Sequence, residues 1–251
     1  MVDRSALEIE ADRILDALSK AGLTVRLVGS MAVLRRCPIH ASLASSGRVY
    51  RDIDLAGRKK EARNIHELLN RLGYVEDREV FVVSEGGRAI FASKDNRFHV
   101  DVFYEKLDFC HPIPLDDRLH VDAPTLPLAE LLLSKTQIVK ITEKDIADVI
   151  ALLLEHKLGD DDADQINVAR IAKLCAEDWG LWRTTTINLE KIERFAETHP
   201  SLDQDQKARI AASVAALRQR IDAEPKPLAW RMRAKIGERV KWYNDVEEVR
   251  F

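Results

Sequence analysis

The sequence has few cysteines and no long apolar run, and each shortage argues against a class of protein. Its three cysteines, Cys37, Cys110 and Cys175, are odd in number and widely spaced, which argues against a disulfide framework and favours reduced thiols in the cytoplasm. No apolar stretch approaches the roughly 20 residues that a membrane-spanning helix needs. The segment after Met1 is charged and amphipathic, so we expect neither an export signal nor a membrane partner.

Charge of one sign is also lacking. The 39 lysine and arginine residues nearly balance the 42 aspartate and glutamate residues, which leaves a net charge of -3. Such a balance gives no global attraction to nucleic acid, so any partner of that kind would have to use a local patch. At 251 residues, 46% of them hydrophobic, the chain is long enough to bury a core without disulfides.

The first half of the chain alternates between helical and strand patterns. Ser5 with Glu8 predicts a capping box at the start of the opening helix, and Gly22 predicts its end. The sequence predicts helices over residues 5–22, 31–36 and 59–72, and strands over residues 25–28, 51–55, 80–84, 88–93 and 98–103. This order predicts a mixed sheet backed by helices, an α+β fold of the α/β type.

The second half has a different character, because no convincing strand follows Pro124. Thr142 with Asp145 predicts a helix cap. The remaining helices are expected over residues 126–140, 142–156, 167–177, 182–198, 202–223 and 228–243. The sequence therefore predicts two domains, one over residues 1–123 that contains the mixed sheet and a helical one over residues 124–251.

Three aspartates occur within strand patterns. Asp52 and Asp54 alternate with apolar residues, so they share one face of their strand. Like charges repel at this distance, and a bound divalent cation would explain the pair. Asp101 lies in a similar apolar setting, and Gly29-Ser30 ends the first strand sharply before a helix, where backbone could approach an anionic ligand.

Taken in order, Gly29-Ser30, Asp52-x-Asp54 and Asp101 resemble the motifs of the nucleotidyltransferase superfamily typified by DNA polymerase beta. The resemblance implies a nucleotidyltransferase fold in which the Gly-Ser turn holds the triphosphate and the three carboxylates hold Mg²⁺ or Mn²⁺. Two metal ions in such a site act on both the attacking and the leaving oxygen. The chain departs from the family in the long segment of 21 residues between Ser30 and Asp52.

The downstream sequence resembles the abortive-infection (AbiEii-type) branch of toxin-like nucleotidyltransferases. That branch has a lysine on one helix and a basic-Asp-x-x-Asp run on the next, matched here by Lys135 and by Lys144 to Asp148. The resemblance implies that Lys135 contacts phosphate and that Asp145 orients it or binds nucleotide. Asp145 and Asp148 are three residues apart, so they share a helix face.

The resemblance as a whole implies transfer of a nucleoside monophosphate from a nucleoside triphosphate to an acceptor hydroxyl. It makes residues 1–123 the catalytic domain, with the helical domain of residues 124–251 contributing to the cleft. The acceptor could be a tRNA, a protein or a small molecule, and an antitoxin partner is possible for a toxin-like enzyme. In this interpretation Asp101 completes the metal site and could help to deprotonate the acceptor, while Lys135 neutralises the leaving pyrophosphate. The alternative function is a catalytically inactive nucleotide-binding or interaction protein on the same scaffold.

Several of these residues also have purely structural interpretations. Lys135 could be a solvated residue on an apolar helix, and Asp145 could be a helix-start charge. Cys37, His40, Cys110 and His111 could form a zinc site, although buried thiols and surface imidazoles fit their spacing better.

The C-terminal helices carry a second structural alternative. The basic residues of the last helix could face RNA, although a solvated face is favoured. They are interleaved with two of the four tryptophans, for which core packing is the default. The residues concerned are Lys226, Arg231, Arg233, Lys235, Arg239 and Lys241, and Trp179, Trp182, Trp230 and Trp242.

Overall fold

The computed structural model describes residues 4–40, 43, 52–115 and 117–246. The chain divides into two compact units. The first comprises Met1–Arg36, Ser45–Asp108 and Pro114–Pro127, and the second comprises Cys37–Ala44, Phe109–Ile113 and Leu128–Phe251. The sequence placed a single division at residue 123, whereas two short segments from the first half belong to the second unit.

The first unit is built on a mixed sheet of five strands. The strands are β1 (Val25–Val28), β2 (Asp52–Gly57), β3 (Tyr74–Asp77), β4 (Arg88–Ser93) and β5 (His99–Tyr104), in the order β1-β2-β5-β4-β3. Only β2 and β5 run parallel, and the other neighbours in this sheet are antiparallel. The predicted α+β class with a mixed sheet and a helical C-terminal half is confirmed.

Three helices of this unit have the predicted locations. They are α1 (Arg4–Lys20), α2 (Gly29–Arg36) and α3 (Ala62–Arg71), the last preceded by a 3-10 turn over Lys59–Glu61. Their apolar faces are buried because the predicted spacing places residues such as Leu7, Ile14, Ile65 and Leu69 on one side. The predicted capping box is wrong, since Arg4 and Ser5 already lie within α1 and the Arg4 Nε donates to Glu8 at 2.9 Å.

The predicted strand over residues 80–84 is also wrong. This segment forms helix α4 (Arg78–Val83), which begins where the Asp77 side chain accepts a hydrogen bond from the backbone N–H of Glu79. A β-branched run is typical of a strand, but Val82 and Val83 lie largely exposed. The strand instead occupies Tyr74–Asp77, where the buried Tyr74 hydroxyl donates to Glu10 at 2.6 Å.

Helices make up most of the second unit. They are α5 (Leu128–Thr136), α6 (Glu143–Glu155), α7 (Val168–Glu177), α8 (Trp179–Thr198), α9 (Gln204–Ala223) and α10 (Leu228–Ile236). The predicted cap of α6 is confirmed, since Thr142 and Asp145 form a reciprocal capping box. The expectation of no strand beyond Pro124 is wrong, because the short strands β6 (Lys157–Gly159) and β7 (Gln165–Asn167) pair in parallel. The segment between them, residues 160–164, contains four aspartates.

Two further short strands, Lys106–Asp108 and Pro112–Pro114, follow β5 in the chain. Residues 37–47 contain proline, serine and glycine without periodicity, which predicts a loop. Most of this segment, and Arg51 at the start of the predicted strand, lie outside the described residues. No helix in the described ranges has both the length and the apolar character required to span a lipid bilayer.

Candidate active site

Three aspartates of the first unit lie on one face of the sheet, which we call the acidic face. In the parallel pair of β2 and β5, Asp54 is the direct neighbour of Asp101, and Asp52 is the neighbour of His99. Neighbouring residues in register project to the same side of a sheet. Asp52 is exposed, Asp54 is half-buried and Asp101 is buried. The structure therefore brings these three predicted site residues together, while their role as metal ligands stays a prediction.

Gly29 lies directly against the acidic face. Its φ of +69° places it in the left-handed region that favours glycine. A Cβ atom added at Gly29 would overlap the Asp54 Oδ2 oxygen and would lie 2.9 Å from Asp54 Cγ. The close approach follows from the sheet, because Val28, at the end of β1, is the register partner of Asp54. Ser30, the second residue of α2, follows this contact in the chain.

Arg88 is the one cation within hydrogen-bonding distance of Asp101 in the described part of the chain. From β4, its Nε lies 3.0 Å from both carboxylate oxygens of Asp101, and its Nη2 donates to Oδ2. The Arg88 guanidinium also lies 5.2 Å from the centre of the Phe103 ring. The sequence reasoning missed Arg88, although both strands were predicted, because the register of β4 with β5 is what brings the two residues to the same region.

Burial and charge oppose one another at Asp101. Burial raises the pKa of its carboxyl above the ordinary value, the hydrogen bonds and charge of Arg88 lower it, and the charge of Asp52 raises it again. Burial lowers the pKa of Arg88, but Asp101, Asp54 and Asp52 outweigh burial and leave that pKa raised. Arg88 therefore interacts with all three aspartates and partly balances the charge of the acidic face.

His99 is a second residue that the sequence reasoning did not single out. It is buried, its Nε2 lies 3.0 Å from Asn96 Oδ1, and its Nδ1 lies 3.5 Å from Asp52 Oδ1. A signal was available, because β2 and β5 both begin with a polar residue two positions before an aspartate of the acidic face. Asn96 therefore orients an imidazole beside the exposed carboxylate of Asp52.

The donor set of the acidic face fits a hard divalent cation. Carboxylate oxygens are the ligands that Mg²⁺ prefers, and Asp52, Asp54 and Asp101 supply six of them from adjacent strands. As the side chains stand, however, the described residues contain no group of three acidic, histidine or cysteine side chains gathered to hold an ion. Both oxygens of Asp101 face Arg88, so Asp52 and Asp54 are the more accessible ligands.

Lys135, Asp145 and Asp148 form a cluster in the second unit, here called the lysine cluster. Lys135 Nζ lies 2.8 Å from Asp148 Oδ2 and 3.1 Å from Asp145 Oδ1. Lys135 and Asp148 are buried, so the interpretation of Lys135 as a solvated side chain is wrong. The expectation that Asp145 and Asp148 share a helix face is confirmed, because both contact the same ammonium group.

Asp145 has two structural partners in this cluster. It closes the capping box of α6 with Thr142 and also accepts from Lys135. Burial raises the pKa of Asp145, but the charge of Lys135 and the hydrogen bonds from Thr142 and Lys135 outweigh it and lower that pKa. The interpretation of Asp145 as a helix-start charge is therefore confirmed, and its nucleotide-binding role stays a prediction.

The residues considered for a zinc site have separate partners in the second unit. Cys37 and Cys110 are buried thiols. His40 Nδ1 lies 3.2 Å from Glu155, and His111 Nε2 lies 2.8 Å from the Thr184 hydroxyl. His111 is buried, so its description as a surface imidazole is wrong.

The four tryptophans pack against one another through ring pairs whose centres lie 5.1–6.2 Å apart. The predicted core packing holds for the buried Trp179, whereas Trp182, Trp230 and Trp242 are half-buried. Two of the basic residues interleaved with them have packing roles. Arg233 stacks on Trp179 at 4.5 Å and donates to the carbonyls of Gly237 and Val240, and Lys226 donates to the carbonyl of Glu224. The basic residues with exposed side chains are Arg231, Lys235, Arg239 and Lys241.

Comparison with models of known protein families and with curated proteins gives no match to this chain. Its function is therefore inferred from the residues of the acidic face and their geometry.

Proposed function

We propose that the chain is a metal-dependent nucleotidyltransferase that moves a nucleoside monophosphate from a nucleoside triphosphate to an acceptor hydroxyl. The observation that carries the proposal is the placement of Asp54 between Gly29 and Asp101, with Asp52 on the same face. This arrangement combines two features. One is a glycine turn whose backbone N–H groups can bind a ligand, and the other is a set of three carboxylates from adjacent parallel strands. The same arrangement supports the resemblance to the DNA polymerase beta superfamily.

In the proposed site, Asp52, Asp54 and Asp101 would hold Mg²⁺ or Mn²⁺. A bound ion of this kind polarises phosphoryl oxygens and neutralises the charge that develops in the transfer. Gly29 and Ser30 begin α2, and helix N-termini attract anions, so their backbone N–H groups would orient the triphosphate. The role of Asp54 is double, since its carboxylate also lies over Gly29 and ties the turn to the metal ligands.

Asp101 is the carboxylate most suited to exchange a proton. Its pKa is raised by burial, and a raised pKa brings a carboxylate nearer to the pH at which a general base is effective. Arg88 fixes the orientation of Asp101 through both of its oxygens. In the proposed mechanism, Arg88 therefore positions Asp101 and balances its negative charge before substrate and metal bind.

The proposed role of Lys135 as a phosphate contact would require it to exchange a partner. Lys135 is paired with Asp145 and Asp148, and two carboxylates more than balance one ammonium charge. A phosphate would compete with these acids for Lys135. The proposal therefore rests on the acidic face, and the lysine cluster adds no support to it.

The test is incubation of the protein with each labelled nucleoside triphosphate and Mg²⁺ in a cell lysate, followed by identification of the labelled macromolecule. We expect one triphosphate to label tRNA or protein. Asp52→Asn, a change at an exposed side chain, should lower the labelling at least about 100-fold, equivalent to about 2.7 kcal/mol of transition-state stabilisation. Asp16→Asn, at an exposed carboxylate of α1, is the matched control. Unchanged labelling by Asp52→Asn would refute the assignment.

The second candidate is an inactive nucleotide-binding protein on the same scaffold. The observation that favours it is the ion pair between Arg88 and Asp101, which occupies both oxygens of one expected metal ligand. A rise in melting temperature with triphosphate and Mg²⁺, without pyrophosphate release, would support this candidate. Pyrophosphate release that depends on Asp52 would exclude it.

A further inference from the structure

A small cavity of about 310 Å³ lies in the first unit, away from the acidic face. It lies at the carboxyl ends of β2 and β5, where Gly57 is the register partner of Tyr104. Asp52 begins β2 and Gly57 ends it, so the cavity is separated from Asp54 by about 10 Å of strand. The residues that line it, here called the basic pocket, are Gly57, Arg58, Lys59, Lys60, Glu105 and Leu119.

The basic pocket has an excess of positive charge. Arg58, Lys59 and Lys60 contribute three cations, whereas Glu105 contributes the one carboxylate among the lining residues. A further cation lies close by, since burial and the charge of Arg58 lower the pKa of Arg26, while the charge of Asp122 raises it in part. An anion bound in the pocket would relieve this accumulation of positive charge.

The ion pairs of these cations are loose. Lys59 Nζ lies 3.5 Å from Glu105 Oε2, and Arg58 Nη1 lies 3.5 Å from Glu61 Oε1, whereas tight pairs of this type measure about 2.7–2.9 Å. Lys60 is exposed and has no ion pair within the part of the chain that the structure describes. Arg58 Nη2 also lies 3.3 Å from His120 Nδ1, so Lys59 and Lys60 are the cations that can turn to a ligand at little cost.

The remaining lining residues limit the size of that ligand. Leu119 is almost fully buried and provides an apolar wall. A volume of about 310 Å³ lies at the small end of the range of ligand sites, about 300–1,000 Å³. The pocket therefore suits one or two phosphate groups with few attached atoms, rather than a large organic molecule.

We propose that the basic pocket binds a phosphate group, carried either by a small phosphorylated ligand or by the backbone of a nucleic acid. Arg58 supplies a guanidinium whose fork matches phosphate oxygens, and Lys59 and Lys60 supply point charges. The site is independent of the proposed catalytic centre, because it lies at the opposite end of the strands and needs no metal ion.

The experiment is titration of the full chain with inorganic pyrophosphate by calorimetry, at low ionic strength and with EDTA present. EDTA removes divalent ions and therefore abolishes any phosphate binding that depends on a metal ion at the acidic face. We expect saturable binding by the wild-type chain, and a dissociation constant at least about tenfold higher for the double variant Lys59→Gln with Lys60→Gln. The matched control is Lys20→Gln with Lys94→Gln, which removes two exposed lysines outside the pocket and should change affinity less than about twofold.

Absence of saturable binding by the wild type, or equal affinity in the pocket variant, would overturn the proposal. If the double variant fails to fold, as judged by circular dichroism, Lys60→Gln alone serves in its place. Asp52→Asn should bind pyrophosphate like the wild type, which separates this result from the fate of the proposed transferase function.

A second titration, with a 12-nucleotide RNA, distinguishes the two sources of the phosphate. Weaker RNA binding by the pocket variant, with a smaller salt dependence, identifies a nucleic-acid backbone. Unchanged RNA binding together with weaker pyrophosphate binding identifies a small phosphorylated ligand.

Discussion

At the scale of single residues, Gly29 has two reasons to be a glycine. Its backbone adopts a positive φ, and the Asp54 carboxylate occupies the space that a Cβ would fill. Gly29→Ala should therefore both strain the turn, at about 1–2 kcal/mol, and displace Asp54. We expect a lower free energy of unfolding together with weaker binding of triphosphate in the presence of Mg²⁺, measured by urea unfolding and calorimetry.

Gly22→Ala is the matched control for this prediction. Gly22 has a similar φ of +72°, but a Cβ there would meet no atom within 4 Å. It should lose comparable stability and retain ligand binding. Equal loss of binding in both variants would show that backbone strain, and not the displacement of Asp54, is responsible.

Arg88 is the residue on which the buried charge of Asp101 depends. Arg88→Met keeps an unbranched side chain but leaves Asp101 buried without its cation, which should cost about 3 kcal/mol at neutral pH. The pKa of Asp101, already raised, should rise further. Because a raised carboxylate pKa favours the folded state at low pH and loses this contribution as the pH rises through it, the deficit should be larger at pH 8 than at pH 5.

Urea unfolding of a double-mutant cycle with Asp101→Asn provides the check. The two substitutions should be clearly non-additive, with the double variant more stable than the sum of the single losses predicts. Additive losses would mean that Arg88 stabilises the sheet through its packing on Phe103 and not through Asp101.

At the scale of elements, the start of α6 depends on a carboxylate that serves two partners. The pKa of Asp145 is lowered in the folded state, so its contribution to stability is present above the unfolded value of about 4 and is lost as the pH falls through the folded value. Asp145→Asn should therefore destabilise the chain by about 1.5–3 kcal/mol at pH 7, and the difference from wild type should shrink below pH 4.

Chemical unfolding at pH 7, 5 and 3 measures this difference. Glu143→Gln removes an exposed carboxylate from the same first turn and should change the free energy of unfolding at pH 7 by less than about 0.5 kcal/mol. A difference between wild type and Asp145→Asn that stays constant with pH would contradict the assigned roles of Lys135 and Thr142.

Local patterns predicted the elements whose signals are local. The capping residues Thr142 and Asp145 lie three positions apart, and the alternation around Asp52 and Asp54 places both on one face. Residues 80–84 failed because a β-branched run has strand propensity, whereas the deciding contact was the Asp77 cap. Arg88 was missed because its partner Asp101 is brought to it only by the pairing of β4 with β5.

At the scale of the whole molecule, a net charge of -3 means that any contact with nucleic acid has to come from a local basic surface. If the C-terminal basic helix faces RNA, the contacts must come from its exposed residues, Arg231 and Lys235 among them. Reversing both charges, Arg231→Glu with Lys235→Glu, should then weaken RNA binding and reduce its salt slope by about 2, with little change in melting temperature.

Arg233→Glu is the informative comparison for this prediction. Its guanidinium stacks on Trp179 and donates to two backbone carbonyls, so charge reversal there should lower the melting temperature. Filter binding between 50 and 200 mM salt, with thermal unfolding of each variant, separates the two effects. An unchanged salt slope in the double variant would show that the basic residues of this helix face solvent and do not contact RNA.

Residues 37–44 and 109–113 belong to the helical unit although they are encoded among the strands of the sheet. Contacts such as that of His111 with Thr184, and of the Asn244 N–H with the Cys110 carbonyl, bind residues 109–113 there. During translation, the second unit therefore cannot assemble fully until the ribosome has synthesised most of the chain. Dividing the gene after Pro127 would separate residues 37–44 and 109–113 from the helices of their unit. Neither of the two expressed fragments should therefore correspond to one complete unit.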